Sequence, residues 1–494
     1  MRDREAVVWT RLTGSPMKMG TLYVTDREAR FTYTTEYAQS GLHGLGLVYH
    51  PAFFGVNTIS RERTERFDFH PPIQALIPPN DQHNFQRSLI SKYLEKQGIA
   101  LTDRFDTDWE ILIHAGHGGI GHLDVFASDE EARRWFSTPS RTGLVEMGEK
   151  FGFSLKELLT WFDEDADAIL DFIGPTPTVG GAIPKLPLSI PREGWDGRIA
   201  LPTRHGETDR TDIILKLEKT TTYPGIIELE QLGLAIHRMA GFEVPRHWAV
   251  EINGLRALAV ERFDRDAHGN PLFMESIYSL LASGKKSVTH HYSDTYDSIG
   301  KPLDITHPVI VTEPQQAKRH LLKRLVMAFL TGNGDLHLEN LSLLARDGQV
   351  AFSPVYDPTP MRAYSRHNSL TPQGMSFGQY GELVGRSDTP VGFADAMIAF
   401  GKVLKIQKRE LNAIIHACME VCEAYPRMIS AMETLPEENK KNLTAIHLDS
   451  VKRLMALLAA QHPGSNIDSG SSTTAQDNLA QATETPQHIT PPPS

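Results

Sequence analysis

The stretch Leu330-Thr-Gly-Asn-Gly-Asp-Leu-His-Leu-Glu-Asn-Leu-Ser-Leu-Leu344, followed by Val355-Tyr-Asp357, decides how the rest of the chain reads. It joins an apolar helix to an apolar strand through a polar loop that holds Asn333, Asp335, His337 and Asn340. Upstream, Leu321, Leu322, Leu325, Val326 and Phe329 recur at helical spacing and make one apolar face. Downstream, Leu341–Ala345, the turn Arg346-Asp-Gly348 and Gln349–Phe352 read as strand, turn and strand. Asn-Gly-Asp alone is an ordinary tight turn. A turn does not explain a carboxylate, Asp335, five residues before an amide, Asn340, with a second carboxylate, Asp357, seventeen residues further on.

A protein-kinase catalytic loop uses that first spacing between its base and its metal-binding Asn, and it places a second metal carboxylate beyond such a hairpin. Composition is compatible with an enzyme of this kind. At 494 residues the chain has room for roughly two to four domains. Its net charge of −11 supplies no global basic field for nucleic acid or an anionic membrane, so any DNA contact needs a local patch or a partner. Cys418 and Cys422 lie four apart on one expected helix, which reads as buried packing rather than a metal site or disulfide framework. No apolar run reaches the ~18 residues of a membrane span. The opening Met-Arg-Asp-Arg-Glu leads into no signal-like stretch, so a soluble, cytoplasmic protein with no membrane contact is expected.

Residues 1–130 read as a β-rich subdomain, with Ala6–Arg11, Gly20–Val24 and Arg30–Tyr33 as short strands and Asp81–Gly98 as a helix ended by its glycine. Asp108–Ile113 and Gly119–Phe126 are expected as two more strands around Ala115-Gly-His-Gly-Gly119. His114, His117 and His122 lack a nearby carboxylate pattern and are expected to be solvated rather than to hold zinc. Residues 131–175 read as a helical connector, in which Ser154-Leu-Lys-Glu157 is a capping box for a helix to Ile173 with a solvated acidic run, Asp163 to Asp171. Residues 176–265 read as a lobe with a glycine-rich loop and an ATP-site lysine, and Pro175-Thr-Pro-Thr-Val-Gly-Gly-Ala-Ile-Pro-Lys185 at its start is either a linker or a loop whose glycines let backbone N–H groups approach a phosphate. The strand Leu186–Ile190 follows it. Asp212–Lys216 is a strand ending on a lysine, and the helix Gly225–Ala240 carries Glu228 and Glu230 within reach of it. A strand-edge charge and first-turn acids are the simpler readings. Trp248–Ile252 and Arg256–Arg262 form a hairpin about Asn253-Gly254 and deliver Val260-Glu-Arg-Phe-Asp-Arg265. Residues 266–461 read as mostly helical from Pro271, with Thr312-Glu-Pro-Gln315 as a cap and helices at Asp388–Lys402, Lys408–Tyr425 and Glu437–Gln461. Residues 462–494 have the composition of a disordered tail.

In chain order, Thr178-Val-Gly-Gly-Ala-Ile-Pro-Lys185, Ile213–Leu217, Ile227-Glu-Leu-Glu230, Val260–Arg265, Gly332–Ser342, Ser353–Asp357 and Met375-Ser-Phe-Gly378 resemble the motifs of the HipA-like serine/threonine kinases, toxins of bacterial type II toxin–antitoxin pairs. The resemblance implies an α+β, two-lobed protein-kinase-like fold with an N-terminal β-rich subdomain and an all-helical C-terminal lobe. It implies ATP and Mg2+ as cofactors. Asp335 would be the catalytic base, Asn340 and Asp357 would hold magnesium, and Lys216 would contact the phosphates with Glu230 as its partner. Thr178, Val179, Gly180, Gly181, Ala182 and Lys185 would cover the nucleotide, with His337 beside it, while Glu261 and Phe263 would offer hinge backbone groups to adenine. The resemblance also implies a small helix-turn-helix antitoxin as the sole route to DNA, and a protein substrate such as an aminoacyl-tRNA synthetase, with growth arrest as the outcome. Ile183 stands where family loops usually carry Gln, and Glu218 where Pro usually follows the Lys-Leu pair. A small-molecule or lipid kinase on the same fold, or a catalytically weak co-repressor that docks the antitoxin, are the alternatives. Autophosphorylation of Thr178 is a further implication. A phosphate adds about −1.5 to −2 charge to a loop that surrounds ATP phosphates, so protein phosphorylated there is expected to bind ATP weakly. Mass spectrometry and ATP titration after incubation with Mg-ATP, with Thr178→Ala as control, check both steps.

Overall fold

Within Glu28–Tyr33, Ala29, Phe31 and Tyr33 are buried while Glu28, Arg30 and Thr32 are more exposed, the alternation that a strand with one covered face requires. This strand (β3) joins Arg4–Thr10 (β1), Met17–Val24 (β2), Ile59–Glu62 (β4) and Asp124–Phe126 (β5) in a sheet of order β4-β3-β2-β1-β5 with antiparallel neighbours. The computed structural model describes residues 3–81, 84–139, 143–146, 183–204, 207–219, 221–252, 254–367, 374–378 and 390–460. The helix expected from Ser154 to Ile173 and the tail from 462 lie outside the described residues.

Among the helices that cover this subdomain, the longest described are Phe85–Lys96 (α1) and Arg104–Ala115 (α2). Asp108–Ile113, expected as a strand, lies inside α2. Phe105, Trp109, Leu112 and Ala115 are buried at helical spacing, and the Asp103 side chain accepts from Asp106 N at 2.8 Å to cap the helix. A short apolar run does not by itself separate helix from strand, and the cap decides. The strand expected over Gly119–Phe126 shrinks to β5, because the preceding glycines serve another part of the chain. Of the neighbouring histidines, His114 keeps its side chain partly exposed as expected, whereas His117 is partly and His122 fully buried. His122 is buried and bonds Gly44 O at 3.0 Å, His117 bonds Val125 O at 3.3 Å, and His114 faces Glu110 at 3.5 Å.

A second antiparallel sheet has the order β8-β9-β7-β6, built from Lys185–Pro191 (β6), Arg210–Leu217 (β7), His247–Ile252 (β8) and Leu255–Glu261 (β9). Ile226, Ile227 and Leu234 of the helix Ile226–Met239 (α3) pack with Leu258 and Val260 of this sheet. Leu89 of α1 joins Leu186, Leu188, Ile213 and Leu215 in a further core, while Ile90 and Leu94 of the same helix pack into the N-terminal subdomain.

The helical lobe is built around Pro314–Thr331 (α4), whose Leu321, Leu322, Leu325, Val326 and Phe329 are buried as expected. They share one core with Pro390–Val403 (α5), Lys408–Cys422 (α6) and Glu437–Ala460 (α7), which includes the buried Cys418 and Cys422. Thr312 does not cap α4. Its hydroxyl accepts from Val350 N at 2.8 Å, and Pro314 in the first turn starts the helix instead. Ser342–Arg346 (β11) and Gln349–Phe352 (β12) form the expected strand, turn and strand, and Met274–Ser276 (β10) pairs with β11, so the lobe is not all-helical but carries a three-stranded sheet. Among the described residues, no helix is long and apolar enough to cross a membrane.

The glycines before β5 receive the segment that follows β9. Arg262 donates to Gly118 O at 3.0 Å, Arg265 to Gly119 O at 2.9 Å and to Gly121 O at 3.0 Å, and Asp264 accepts from Gly121 N at 2.8 Å. Burial alone opposes ionisation of Asp264, but the two guanidiniums more than offset it and hold the carboxyl well below the usual range. A second tie is Glu275 of β10, which is buried and accepts from Leu47 N at 2.8 Å and Ser279 Oγ at 2.9 Å. A Cβ on Gly46 would lie 2.6 Å from its Oε1, so glycine permits the approach. Burial pushes the Glu275 carboxyl from 4.5 up to about 7. With the folded value raised, the contribution is fully present below about 4.5 and is lost as pH rises through about 7. Between pH 5 and pH 8 the melting temperature should therefore fall more in the wild type than in Glu275→Gln, by the equivalent of roughly 1–3 kcal/mol. Parallel melts at the two pH values check it.

Candidate active site

Register places Lys185 of β6 directly opposite Lys216 of β7. Both side chains are buried and both converge on Asp357: Lys185 Nζ lies 3.2 Å from Oδ2, and Lys216 Nζ bonds Oδ1 and also Glu230 Oε1 of α3. Burial opposes the charge on both Asp357 and Lys216. For Asp357 the two lysines more than offset it and hold the carboxyl well below the usual range, and for Lys216 the two carboxylates hold the ammonium above its ordinary value. Of the two acids near the start of α3, Glu230 pairs the lysine. Glu228 instead accepts from the backbone N–H groups of Glu433 at 3.0 Å and Thr434 at 2.7 Å, ahead of α7. Glu218 accepts from Gly225 N at 2.9 Å at the start of α3, and Ile183 packs on the apolar cluster of Ile227, Leu258 and Val260.

Asp357 has φ 48°, a left-handed backbone that is uncommon outside glycine and clusters at functional sites. Its neighbours hold it there. Val355 N donates to Glu243 O at 2.8 Å, and the Tyr356 hydroxyl donates to Glu339 O at 2.5 Å while sitting 2.6 Å from Ser342 Oγ. Gly233 of α3 lies under the next residue, where a Cβ would stand 2.4 Å from Pro358 O.

The polar loop starts at Gly332, which ends α4 with φ 69°. Asn333 Oδ1 accepts from Asp335 N at 2.8 Å, and Asn340 Nδ2 donates to Asp335 O at 2.7 Å. The five-residue spacing therefore closes the loop around Asp335, and among the described residues Asn340 Oδ1 has no hydrogen-bond partner. The Asp335 carboxylate accepts the Tyr292 hydroxyl, and burial pushes its pKa up to about 6. His337 is placed 3.9 Å from Asp335, with its ring against those of His291 at 4.3 Å and Tyr292 at 4.9 Å. Burial holds it down to about 3, so it is a neutral packing element at pH 7. At the end of β9, Glu261 pairs with Arg246 and donates its N–H to Arg246 O at 2.9 Å, while the Phe263 ring lies 5.7 Å from that of Tyr356. Thr178, Val179, Gly180, Gly181 and Ala182 lie outside the described residues. The structure thus gathers Lys185, Lys216, Glu230, Asp335, His337, Asn340 and Asp357. Sequence reasoning misses Tyr292, which sits 43 residues before Asp335 in a loop without periodicity.

Chemically, the cluster offers two ammoniums for a polyanion, hard oxygen donors for a divalent cation, and a carboxylate base beside them. A family model described as "HipA-like C-terminal domain" matches residues 178–426, half of the chain. This chain belongs to the HipA-like family. A Haemophilus influenzae protein named "Putative kinase" is 25% identical to this HipA-like chain over 319 residues, covering 58% of this chain and 83% of that one. A Sinorhizobium fredii protein, "Putative kinase Y4dM", is 30% identical over 187 residues, 34% of this chain and 39% of its own length. Among solved structures, a chain of the Shewanella oneidensis MR-1 toxin–antitoxin complex of HipA, HipB and operator DNA matches with TM-score 0.60 and 16% identity. The match covers 92% of this chain and 97% of that one, a likeness of fold.

The contact of Gly233 with Pro358 gives a test in which two effects oppose each other. In a free helix, Gly→Ala gains ~1 kcal/mol, but here the Cβ would press on backbone just after Asp357. Gly233→Ala should lower the melting temperature in thermal denaturation, not raise it.

Proposed function

We propose that this HipA-like protein is an ATP- and magnesium-dependent serine/threonine protein kinase, the toxin of a toxin–antitoxin pair. The observation that carries this reading is the convergence of Asp335, Asn340 and Asp357 beside the Lys216–Glu230 pair. The donor set fits the cofactors: Asn340 Oδ1 and the Asp357 carboxylate are the hard oxygens that magnesium takes, and two buried ammoniums suit phosphates. Bound Mg-ATP supplies the phosphoryl group and the cationic charge on its oxygens.

The protein's own groups do the rest. Lys216 keeps its charge at neutral pH because Asp357 and Glu230 flank it, and it binds phosphate oxygens together with Lys185. Thr178, Val179, Gly180, Gly181 and Ala182 cover the phosphates, and Thr178 is the self-modified position. Glu261 and Phe263 offer main-chain groups to the base, His337 supports the loop, and Asp335 receives the proton of a serine or threonine hydroxyl. The target is a cellular protein, such as an aminoacyl-tRNA synthetase, whose modification arrests growth in the cytoplasm. A helix-turn-helix antitoxin is the partner. The net charge of −11 supports reaching DNA through that partner rather than directly, and the Shewanella complex of HipA with HipB and operator DNA supports the pairing.

Label transfer from ATP in a lysate tests the acceptor class: it should appear on a protein band rather than on a soluble metabolite or lipid. Asp335→Ala should fold normally and lose about 10²–10⁴-fold in transfer, as for a missing general base. Asn340→Ala and Asp357→Ala should weaken magnesium-dependent nucleotide binding. The working base is the carboxylate, so the wild-type rate should fall as pH drops through about 6. Near-normal transfer by Asp335→Ala would sink the assignment.

A further inference from the structure

The backbone of Asp335 is held on both sides, its N–H by Asn333 Oδ1 at 2.8 Å and its C=O by Asn340 Nδ2 at 2.7 Å. Neither bond fixes the rotation of the side chain. The Tyr292 hydroxyl donates to Oδ1 of that carboxylate. Oδ2 has no protein hydrogen-bond partner among the described residues, and about a third of the Asp335 side chain, 32%, is exposed.

Tyr292 is itself placed firmly. His291 O accepts from Leu338 N of the polar loop at 3.1 Å, which pins the 288–294 segment to the loop it serves. The Tyr292 ring packs edge-on to His337 at 4.9 Å, and the His291 ring stands 4.3 Å from His337. On one side of Tyr292, Thr289 O accepts from the Tyr278 hydroxyl at 3.1 Å and Thr289 N donates to Ser293 Oγ at 3.0 Å. On the other, Lys285 bridges Asp294 at 3.1 Å and Ser298 at 3.0 Å. The ring contacts require only a flat apolar side chain. The hydroxyl is what a phenylalanine would not supply, and among the described residues its one hydrogen bond goes to the carboxylate.

We infer that Tyr292 is a positioning residue for Asp335: it ties up Oδ1 and so presents Oδ2 as the oxygen that takes the acceptor's proton. This rests on the kinase reading for the role of Asp335, but not for the contact. The logic is that of a group that orients a base without itself exchanging protons. When transfer occurs, the acceptor O–H breaks, its proton passes to Oδ2, a P–O bond forms to the γ-phosphorus and the bond to the ADP oxygen breaks.

Tyr292→Phe keeps the ring and removes the hydroxyl. In the full chain it should leave the melting temperature unchanged, lower kcat for Mg-ATP turnover on the order of tenfold, the scale of a lost hydrogen bond to a charged group, and leave KM for ATP within about twofold. Its crystal structure, compared with that of the wild type, should show the Asp335 carboxylate rotated or in two rotamers. An unmoved carboxylate overturns the inference, as does a kcat within about twofold of wild type or an increase, which would make Tyr292 an obstacle. If the wild type itself turns over no Mg-ATP, the kinase reading fails, and the crystallographic comparison alone decides whether Tyr292 orients Asp335.

Discussion

Two buried ammoniums facing each other on neighbouring strands would drive a sheet apart unless something negative reaches both. Lys185 and Lys216 are such a pair, and like charges in direct opposition destabilise a ladder. Burial makes the repulsion worse, since little water screens it. Asp357 resolves it by giving one oxygen to each lysine, and Glu230 adds a second carboxylate from α3. The sheet, the helix and the segment after β12 therefore hold one another in place through four charged groups. This also accounts for a non-glycine residue with φ 48°: the backbone strain at Asp357, of order 1–3 kcal/mol, is offset by the ions it neutralises. On the proposed function, a nucleotide's phosphates would offer the lysines the same negative charge in another form.

Much of this was legible in the sequence wherever the chemistry is local to the chain. Asp335 and Asn340 signal themselves because the bond between Asn340 Nδ2 and Asp335 O spans five residues of one loop. The apolar face of α4 follows from periodicity, and the strand carrying Lys216 from its apolar run. Readings failed where a nearby cap went unread or where a partner far along the chain decides. Asp108–Ile113 has the composition of a strand, but Asp103 caps it into a helix. Thr312 has the spacing of a helix cap, yet Val350 claims its hydroxyl from a different element. His122 is polar and flanked by glycine, and it is buried because Gly44, 78 residues away, accepts its bond. Tyr292 belongs to the same class. No local pattern marks a hydroxyl whose partner lies 43 residues further along the chain.

The glycine-rich turn before β5 shows why such distant contacts matter for the site. Its glycines leave their carbonyls open to Arg262 and Arg265, and at Gly121 a side chain would press within 3.1 Å of Met274 O. The buried charges of Arg262, Asp264 and Arg265 would be costly if left unpaired. Here each finds a charge or a backbone group of the N-terminal subdomain. The segment joining the two lobes is thereby bolted to a third body, so the angle between the lobes is set from outside both of them.

Helix α1 carries a different lesson. Its Leu89 seals the outer face of the sheet that bears Lys185 and Lys216, while Ile90 and Leu94 belong to the core of another subdomain. At the opposite end, Leu443, Leu454 and Leu457 of α7 close the core around α4. Both covers lie outside residues 178–426, the part that the family model recognises. Cut at those limits, the protein would present two raw apolar surfaces to water, one on the sheet and one on the helices, and such surfaces find each other between molecules. The portion that inheritance marks most clearly and the portion that can stand alone in water are different lengths of the same chain.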